Sequence, residues 1–313
     1  MALPPGTVMG GDYTILGPLA QGGMGSVYVA EQISTGRRRA LKLMHPELAR
    51  DVRSVERFAQ EARVGARIGS EHVVEVVGAG IDPAHGLPWL AMEMLEGGDL
   101  ASVVSSRGAL PVAEVLEILE QACDAIAKAH AQGVVHRDLK PENLFIAVSH
   151  RRGVPFTVKV LDFGIAKLLS ECQSAATATS TIGSPLWMAP EQADRKGKLG
   201  PPTDVWALGL ITFYMLTGRM YWHAANDAEI GITALLKEVL LDEIVPASQR
   251  ARDIGCAVTL PAGFDAWFAR CVTRTAAERF ANGAELMSAA RAVLGGTAPL
   301  DASSPSSSGA AWA

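Results

Sequence analysis

The chain has 313 residues, 49% of them hydrophobic, with 28 Lys and Arg against 33 Asp and Glu for a formal net charge of −5. That is enough apolar material for one large or two modest buried cores. No basic surplus or long basic run is present, which argues against a nucleic-acid or acidic-membrane binder.

The first residues, Met1-Ala2-Leu3-Pro4-Pro5-Gly6, show no basic region followed by an apolar core, so no signal peptide is read. Up to about Ala91 the chain predicts short strands at Tyr13 to Leu16, Ser26 to Ala30, Ala40 to Leu43, Val73 to Val77 and Trp89 to Met92. Between the third and fourth of these, Val55, Phe58, Ala62, Ala66 and Gly69 recur at helical spacing. The expectation is a small, mostly antiparallel sheet carrying one helix. The stretch Leu19-Ala20-Gln21-Gly22-Gly23-Met24-Gly25-Ser26-Val27 joins two of the strands. Without Cβ atoms, Gly22, Gly23 and Gly25 would let backbone N–H groups approach phosphate oxygens, although a glycine-rich hairpin is as often simply a turn.

After Gly97-Gly98 the pattern becomes helical. Val115, Leu116, Leu119, Ala122, Cys123, Ile126 and Ala129 predict a long amphipathic helix that starts after Pro111 and ends at Gly133. Then comes His136-Arg137-Asp138-Leu139-Lys140-Pro141-Glu142-Asn143, and later Asp162-Phe163-Gly164. A polar turn does not need that order of residues. Asp138 could orient a hydroxyl, Lys140 could meet transferring negative charge, and Asn143 with Asp162 could hold a hard cation through oxygen. A hydroxyl-rich run follows, with Ser174, Thr177, Thr179, Ser180, Thr181 and Ser184 ahead of Ala189-Pro190-Glu191. Asp204 to Leu216 is apolar nearly all round and reads as a core helix stopped by Gly218. It is too short to span a bilayer. Asp204 at its start reads as an N-cap near Thr203. Pro261 to Leu294 predicts further helices, and the Ser/Ala/Pro-rich tail from Gly295 is expected to be disordered. The four cysteines, Cys123, Cys172, Cys256 and Cys271, lack CxxC spacing, so reduced thiols are expected.

The octet at 136–143 and the Asp-Phe-Gly and Ala-Pro-Glu triplets resemble the protein-kinase superfamily over about residues 10 to 292. Gly22-Gly23-Met24-Gly25 and Phe58-Ala59-Gln60-Glu61-Ala62-Arg63 look most like the eukaryotic-like serine/threonine kinases of bacteria. The resemblance implies an α+β bilobal fold, with an N-lobe at about 10–92, a hinge at about 93–98 and a C-lobe at about 99–292. It implies an enzyme that transfers the γ-phosphate of ATP to Ser or Thr hydroxyls of protein substrates, with Mg²⁺ or Mn²⁺, in signal transduction. By the same resemblance Lys42 touches the α- and β-phosphates and pairs with Glu61, Asp138 and Lys140 are catalytic, and Asn143 and Asp162 ligate the metal. Leu19, Val27, Ala40 and Phe145 would sandwich adenine beneath the glycine loop, with Met92 behind and Glu93 to Leu95 as the hinge. Lys140 points to serine or threonine as acceptor. Arg137 points to control by a phosphate on Thr177, Thr179 or Thr181, for which a homodimer would serve autophosphorylation. Glu191 is expected to pair with Arg279, and Asp204 to hold the catalytic loop from beneath. Ala20 in place of the first loop glycine, and Ser184 and Trp187 in place of the commoner Thr and Tyr, are departures from the family pattern. Two other readings remain: a catalytically silent scaffold, and a phosphotransferase acting on small molecules. The implied location is cytoplasmic, tethered to a membrane if the natural protein continues past the tail.

Overall fold

The computed structural model describes residues 3–22, 25–51, 55–56, 58, 67–149, 151, 153–163, 185–194, 197–227 and 231–296. Its N-terminal part is a six-stranded antiparallel sheet in the order β1-β2-β3-β4-β6-β5. The strands are β1 Val8–Met9, β2 Tyr13–Gln21, β3 Gly25–Gln32, β4 Arg37–Met44, β5 Val76–Ile81 and β6 Pro88–Glu93. Central β4 shows why the sheet is two-sided. Its alternate residues Leu41 and Leu43 join Met9, Tyr13, Ile15 and Tyr28 on one face. Ala40 and Met44 join Phe58, Val74, Leu90 and Met92 on the other. Period-two alternation thus feeds two separate apolar clusters, with Lys42 on the second face among them.

The strand expected at Val73 to Val77 lies instead at Val76–Ile81, and Val73 makes only an isolated parallel bridge to Val160. Val73 is buried in the cluster of the C-terminal part and Val74 in the cluster on the second face of the N-terminal sheet, which explains why hydrophobicity alone misplaced the strand. The predicted helix is present at 55–56, 58 and 67–68, and Ala62 and Ala66 lie outside the described residues.

The C-terminal part is helical around a three-stranded sheet of β7 Gly97–Asp99, β8 Leu144–Val148 and β9 Phe156–Val160. Its helices are α1 Leu100–Arg107, α2 Val112–Ala131, α3 Pro190–Ala193, α4 Pro201–Thr217, α5 Ile232–Leu240, α6 Ala247–Asp253, α7 Phe264–Val272 and α8 Gly283–Leu294. Sequence periodicity did not separate α1, α5 and α6, which have only seven to nine residues each. The apolar helix expected at Asp204 begins a turn earlier, at Pro201, and stops at the left-handed Gly218 (φ 68°). Every residue from Thr203 to Thr217 is buried, so this helix is the axis around which α2, α7 and α8 pack. Packing there is close: a Cβ on Gly209 would sit 2.5 Å from the Cβ of Cys271. Residues 297–313, most of the tail expected to be disordered, lie outside the described residues. Among the described residues no helix is long and apolar enough to cross a membrane.

Candidate active site

Between the two parts, β4 delivers Lys42 and the segment after β9 delivers Asp162. Lys42 is 7% exposed, and its Nζ lies 2.8 Å from Asp162 Oδ1. A buried lysine keeps its charge only when an anion or several acceptors offset the lost hydration, and Asp162 supplies an anion. Glu61, the partner expected for Lys42, lies outside the described residues.

The segment from His136 to Asn143 wraps around its own polar groups. Lys140 Nζ lies 3.0 Å from Asp138 Oδ2. Asn143 Nδ2 donates to the Asp138 carbonyl at 2.8 Å and to Asp138 Oδ2 at 3.1 Å. His136 is fully buried and stitches this loop to the strand end. Its Nε2 lies 2.8 Å from the Leu161 carbonyl, while its Nδ1 accepts the Asp138 N–H at 3.3 Å. Those neighbours assign the neutral ring with the proton on Nε2. Leu161 N–H in turn donates to the Asn143 carbonyl at 2.9 Å. Asp138, Lys140 and Asn143 therefore form one hydrogen-bonded unit, joined through the backbone of Leu161 to the segment that carries Asp162, and Phe163 packs on His136 with ring centroids 4.7 Å apart.

Asp204 fixes this unit from below. It is 1% exposed, and α4 starts three residues before it, so it is not an N-cap. Its carboxylate accepts the N–H groups of His136 and Arg137 at 2.8 Å each and meets His130 Nε2 at 2.8 Å. Those bonds hold Arg137 at φ 68°; Asp162, at φ 54°, is the other described non-glycine residue with positive φ. Such conformations cost about 1–3 kcal/mol each and persist only where surrounding contacts impose them. Gln192 adds another, donating from Nε2 to the Arg137 carbonyl at 2.7 Å. The Arg137 Nε is buried without a hydrogen-bond partner among the described residues.

Further out, Glu191 and Arg279 form a two-pronged ion pair at 2.8 and 2.9 Å, with Arg279 only 3% exposed. Trp187 packs edge-on against Tyr214. Burial, then the negative charges of Glu142 and Asp99, push the Tyr214 phenol upward, which keeps it neutral.

Val27, Ala40, Met92 and Leu95 come together in one apolar cluster facing the cleft. Leu19 is 49% exposed on β2, and Phe145 sits half-buried on β8, so neither belongs to that cluster. Glu93 ends β6 and bonds Lys159. In the glycine loop Gly22 N–H donates to the Gly25 carbonyl at 2.9 Å. A Cβ on Gly25 would lie 2.1 Å from the Leu43 carbonyl oxygen, so only glycine fits. His45 Nε2 lies 2.9 Å from the Gly22 carbonyl, a contact with no motif to announce it. Gly23, Thr177, Thr179, Thr181 and Ser184 lie outside the described residues.

Sequence reasoning passed over His130, Gln192, His45 and Lys159. Each acts through a contact to backbone or to another side chain, and only Gln192 carried a local hint, adjoining Ala-Pro-Glu. The donor chemistry suits a divalent cation. Asn143 spends its Nδ2 on Asp138, which leaves its amide oxygen for a cation, and Asp162 offers a carboxylate 40% exposed at the cleft. Two hard oxygens, with phosphate and water completing the shell, match what Mg²⁺ takes. Among the described residues no cluster of three His, Cys, Asp or Glu competes as a metal site.

The family model described as protein kinase domain matches residues 13–281. Serine/threonine-protein kinase Pkn1 of Myxococcus xanthus is 42% identical over 210 residues, covering 67% of this chain and 29% of that protein. Serine/threonine-protein kinases drp72 of Corynebacterium efficiens is 32% identical over 306 residues, covering 95% of this chain and 54% of that protein. The chain thus spans about half or less of these curated relatives. Among solved structures, the Mycobacterium tuberculosis PknI kinase domain is similar with a TM-score of 0.67 and 25% identity, covering 93% of this chain and 99% of that one.

Proposed function

The chain belongs to the protein kinase family, in its bacterial serine/threonine branch, and on that footing we propose that it binds ATP in the cleft and transfers the γ-phosphate to serine or threonine hydroxyls of proteins, in signalling. The observation that carries the reading is the hydrogen-bonded unit of Asp138, Lys140 and Asn143, joined through Leu161 to the Lys42–Asp162 pair. Phosphoryl transfer asks a protein mainly for positioning and for charge opposite the transferring oxygens, and this unit offers both.

Asp138 orients the acceptor hydroxyl and takes its proton. Its Oδ2 already holds Lys140 and Asn143, which supports Oδ1 as the oxygen facing the substrate. Lys140 lies against the γ-phosphate, and Lys42, paired with Glu61, lies against the α- and β-phosphates. Asn143 and Asp162 hold the metal, Mg²⁺ with Mn²⁺ as the alternative, which neutralises phosphate charge when bound. Gly22, Gly23 and Gly25 cover the phosphates. Leu19, Val27, Ala40 and Phe145 enclose adenine, with Met92 behind it and the backbone of Glu93 to Leu95 along its edge. The proposed catalytic unit runs over residues 10–292, hinged at 93–98. Glu191, Arg279 and Asp204 hold its substrate side to the helical core. Since ATP is the donor, the cytoplasmic face is the proposed location.

The test is phosphate transfer from labelled ATP and Mg²⁺ to a generic protein substrate. Asp138→Asn, Lys42→Met and Asp162→Ala should each lose at least about a hundredfold, because each removes a group aimed at transition-state charge or the attacking hydroxyl. Near-normal turnover in any of them would overturn its assigned role. Nucleotide binding without turnover in the wild type would instead favour a scaffold, and label on a small molecule rather than on protein the other phosphotransferase class.

Regulation is proposed at Arg137. A guanidinium whose Nε is buried without a partner among the described residues favours an added anion, and a phosphate on Thr177, Thr179 or Thr181 would supply one. In a homodimer one copy of the chain would transfer the γ-phosphate of its ATP to that threonine of the other, releasing ADP. Mass-spectrometric mapping after incubation with ATP and Mg²⁺ should find it; a segment 170–182 free of phosphate sinks the idea.

A further inference from the structure

Glu93 stands where three stretches of chain meet. It ends β6, and its N–H donates to the Glu75 carbonyl at 2.9 Å. Its Oε1 accepts the Glu75 N–H at 2.9 Å and Lys159 Nζ at 2.7 Å. Lys159 comes from β9, on the far side of the cleft, three residues before Asp162. The two side chains are 15% and 22% exposed, so this ion pair is partly desolvated and less screened than a surface pair. The same strand is tied to the chain just before Glu75, since Val160 N–H donates to the His72 carbonyl at 2.8 Å and Val74 N–H to the Val160 carbonyl at 3.1 Å.

β9 also faces the nucleotide side. Lys159 pairs in register with Phe145 on β8, and directly opposed residues of an antiparallel pair point to the same face. Lys159 therefore runs beside the residue assigned to one wall of the adenine pocket, while its ammonium holds the carboxylate of the hinge residue on another wall. One side chain spans both walls and continues, through β9, to Asp162.

We propose that Lys159 is a positioning residue for nucleotide binding, acting through Glu93 to hold the hinge at a fixed distance from Phe145 and β9. The proposal rests on the phosphotransfer reading above and deepens it. Loss of the ammonium leaves the Glu93 carboxylate with the Glu75 N–H but without a counter-charge, so the hinge is free to shift relative to β9. Groups that bind adenine through backbone atoms are sensitive to such shifts, whereas the phosphate-side groups on Asp138 and Asn143 are held by their own bonds to one another, on a segment whose His136 and Arg137 N–H groups Asp204 fixes.

The experiment is isothermal titration of the protein with ADP and Mg²⁺, beside steady-state kinetics with ATP varied. Lys159→Met should weaken ADP about tenfold, which is about 1.4 kcal/mol. It should raise KM for ATP by a similar factor and leave kcat at saturating ATP within about threefold. Lys159→Arg, which keeps the cation, should regain most of the affinity. Glu93→Gln should lose about as much as Lys159→Met, and the double variant no more than either, because both remove one interaction. Lys159→Met with ADP affinity within twofold of wild type overturns the proposal, even if its melting temperature falls. So do losses that add in the double variant. A wild-type protein that binds no ADP overturns the phosphotransfer reading itself, which separates the two failures.

Discussion

Arg279 places its guanidinium on five acceptors: both Glu191 oxygens and the carbonyls of Thr273, Pro202 and Arg274. It also lies over the Trp206 ring, 4.9 Å from the centroid. Read along the chain, this arginine is an exposed helix charge, and only the motif resemblance paired it with Glu191. Its long-range partners, the Glu191 carboxylate and the Pro202 carbonyl, lie 88 and 77 positions away, which no local pattern encodes. Removing one member of a buried pair leaves the other charged and poorly solvated, at a cost of about 3–5 kcal/mol. Arg279→Met should therefore lower stability by that amount in a denaturant titration, with a smaller loss for Glu191→Gln. A change below about 1 kcal/mol would mean that water replaces the pair. Asp204 teaches the converse. Its acidic identity and helical position were legible, yet which of its two readings holds depended on where His136, Arg137 and His130 arrive in space.

At the scale of elements, the β5–β6 hairpin binds the N-terminal strap through one carboxylate. Asp82 is 2% exposed and accepts the Gly10 N–H at 2.8 Å, the His85 N–H at 2.8 Å and the His85 ring nitrogen at 2.7 Å. Burial by itself raises the Asp82 carboxyl, but the bonds from Gly10 and His85 together outweigh it and hold it below the usual range. A carboxyl lowered on folding adds stability above its unfolded value, about 3.9, and that stability is lost as pH falls through the folded value. The gap in unfolding free energy between wild type and Asp82→Asn should thus be flat from about pH 5 to 7 and shrink as pH falls below about 4. A gap that widens in acid would reverse the sign and refute the assignment. This latch was not legible beforehand, because Asp82 and Gly10 are 72 residues apart and neither belongs to a motif. The strands themselves were legible wherever alternation was clean, as in β3 and β4. The misplaced strand at Val73 shows the limit: burial against another element looks like strand periodicity when only hydrophobicity is read.

Over the whole molecule, two apolar clusters sit on the faces of the N-terminal sheet and one large cluster fills the helical part, centred on α4. Backbone amides exchange slowest where opening must expose the most packed surface. In hydrogen exchange, peptides covering 203–217 should be the last to label, and those covering the hairpin around Gly86 should label early. Fast exchange in α4 would contradict its place at the core. By itself the sequence determined which reactive side chains exist and in what order, because the proton, charge and oxygen chemistry of Asp138, Lys140, Asn143, Asp162 and Lys42 belongs to the residue types. It also determined the change from β-rich to helical, because each periodicity is written in neighbouring residues. Only the tertiary structure decided who meets whom: Lys42 with Asp162 across 120 positions, Glu191 with Arg279 across 88, and Lys159 with Glu93 across 66. Those meetings depend on how separately formed elements pack, and the energy that selects a packing is shared among all their buried contacts rather than carried by any one stretch of chain.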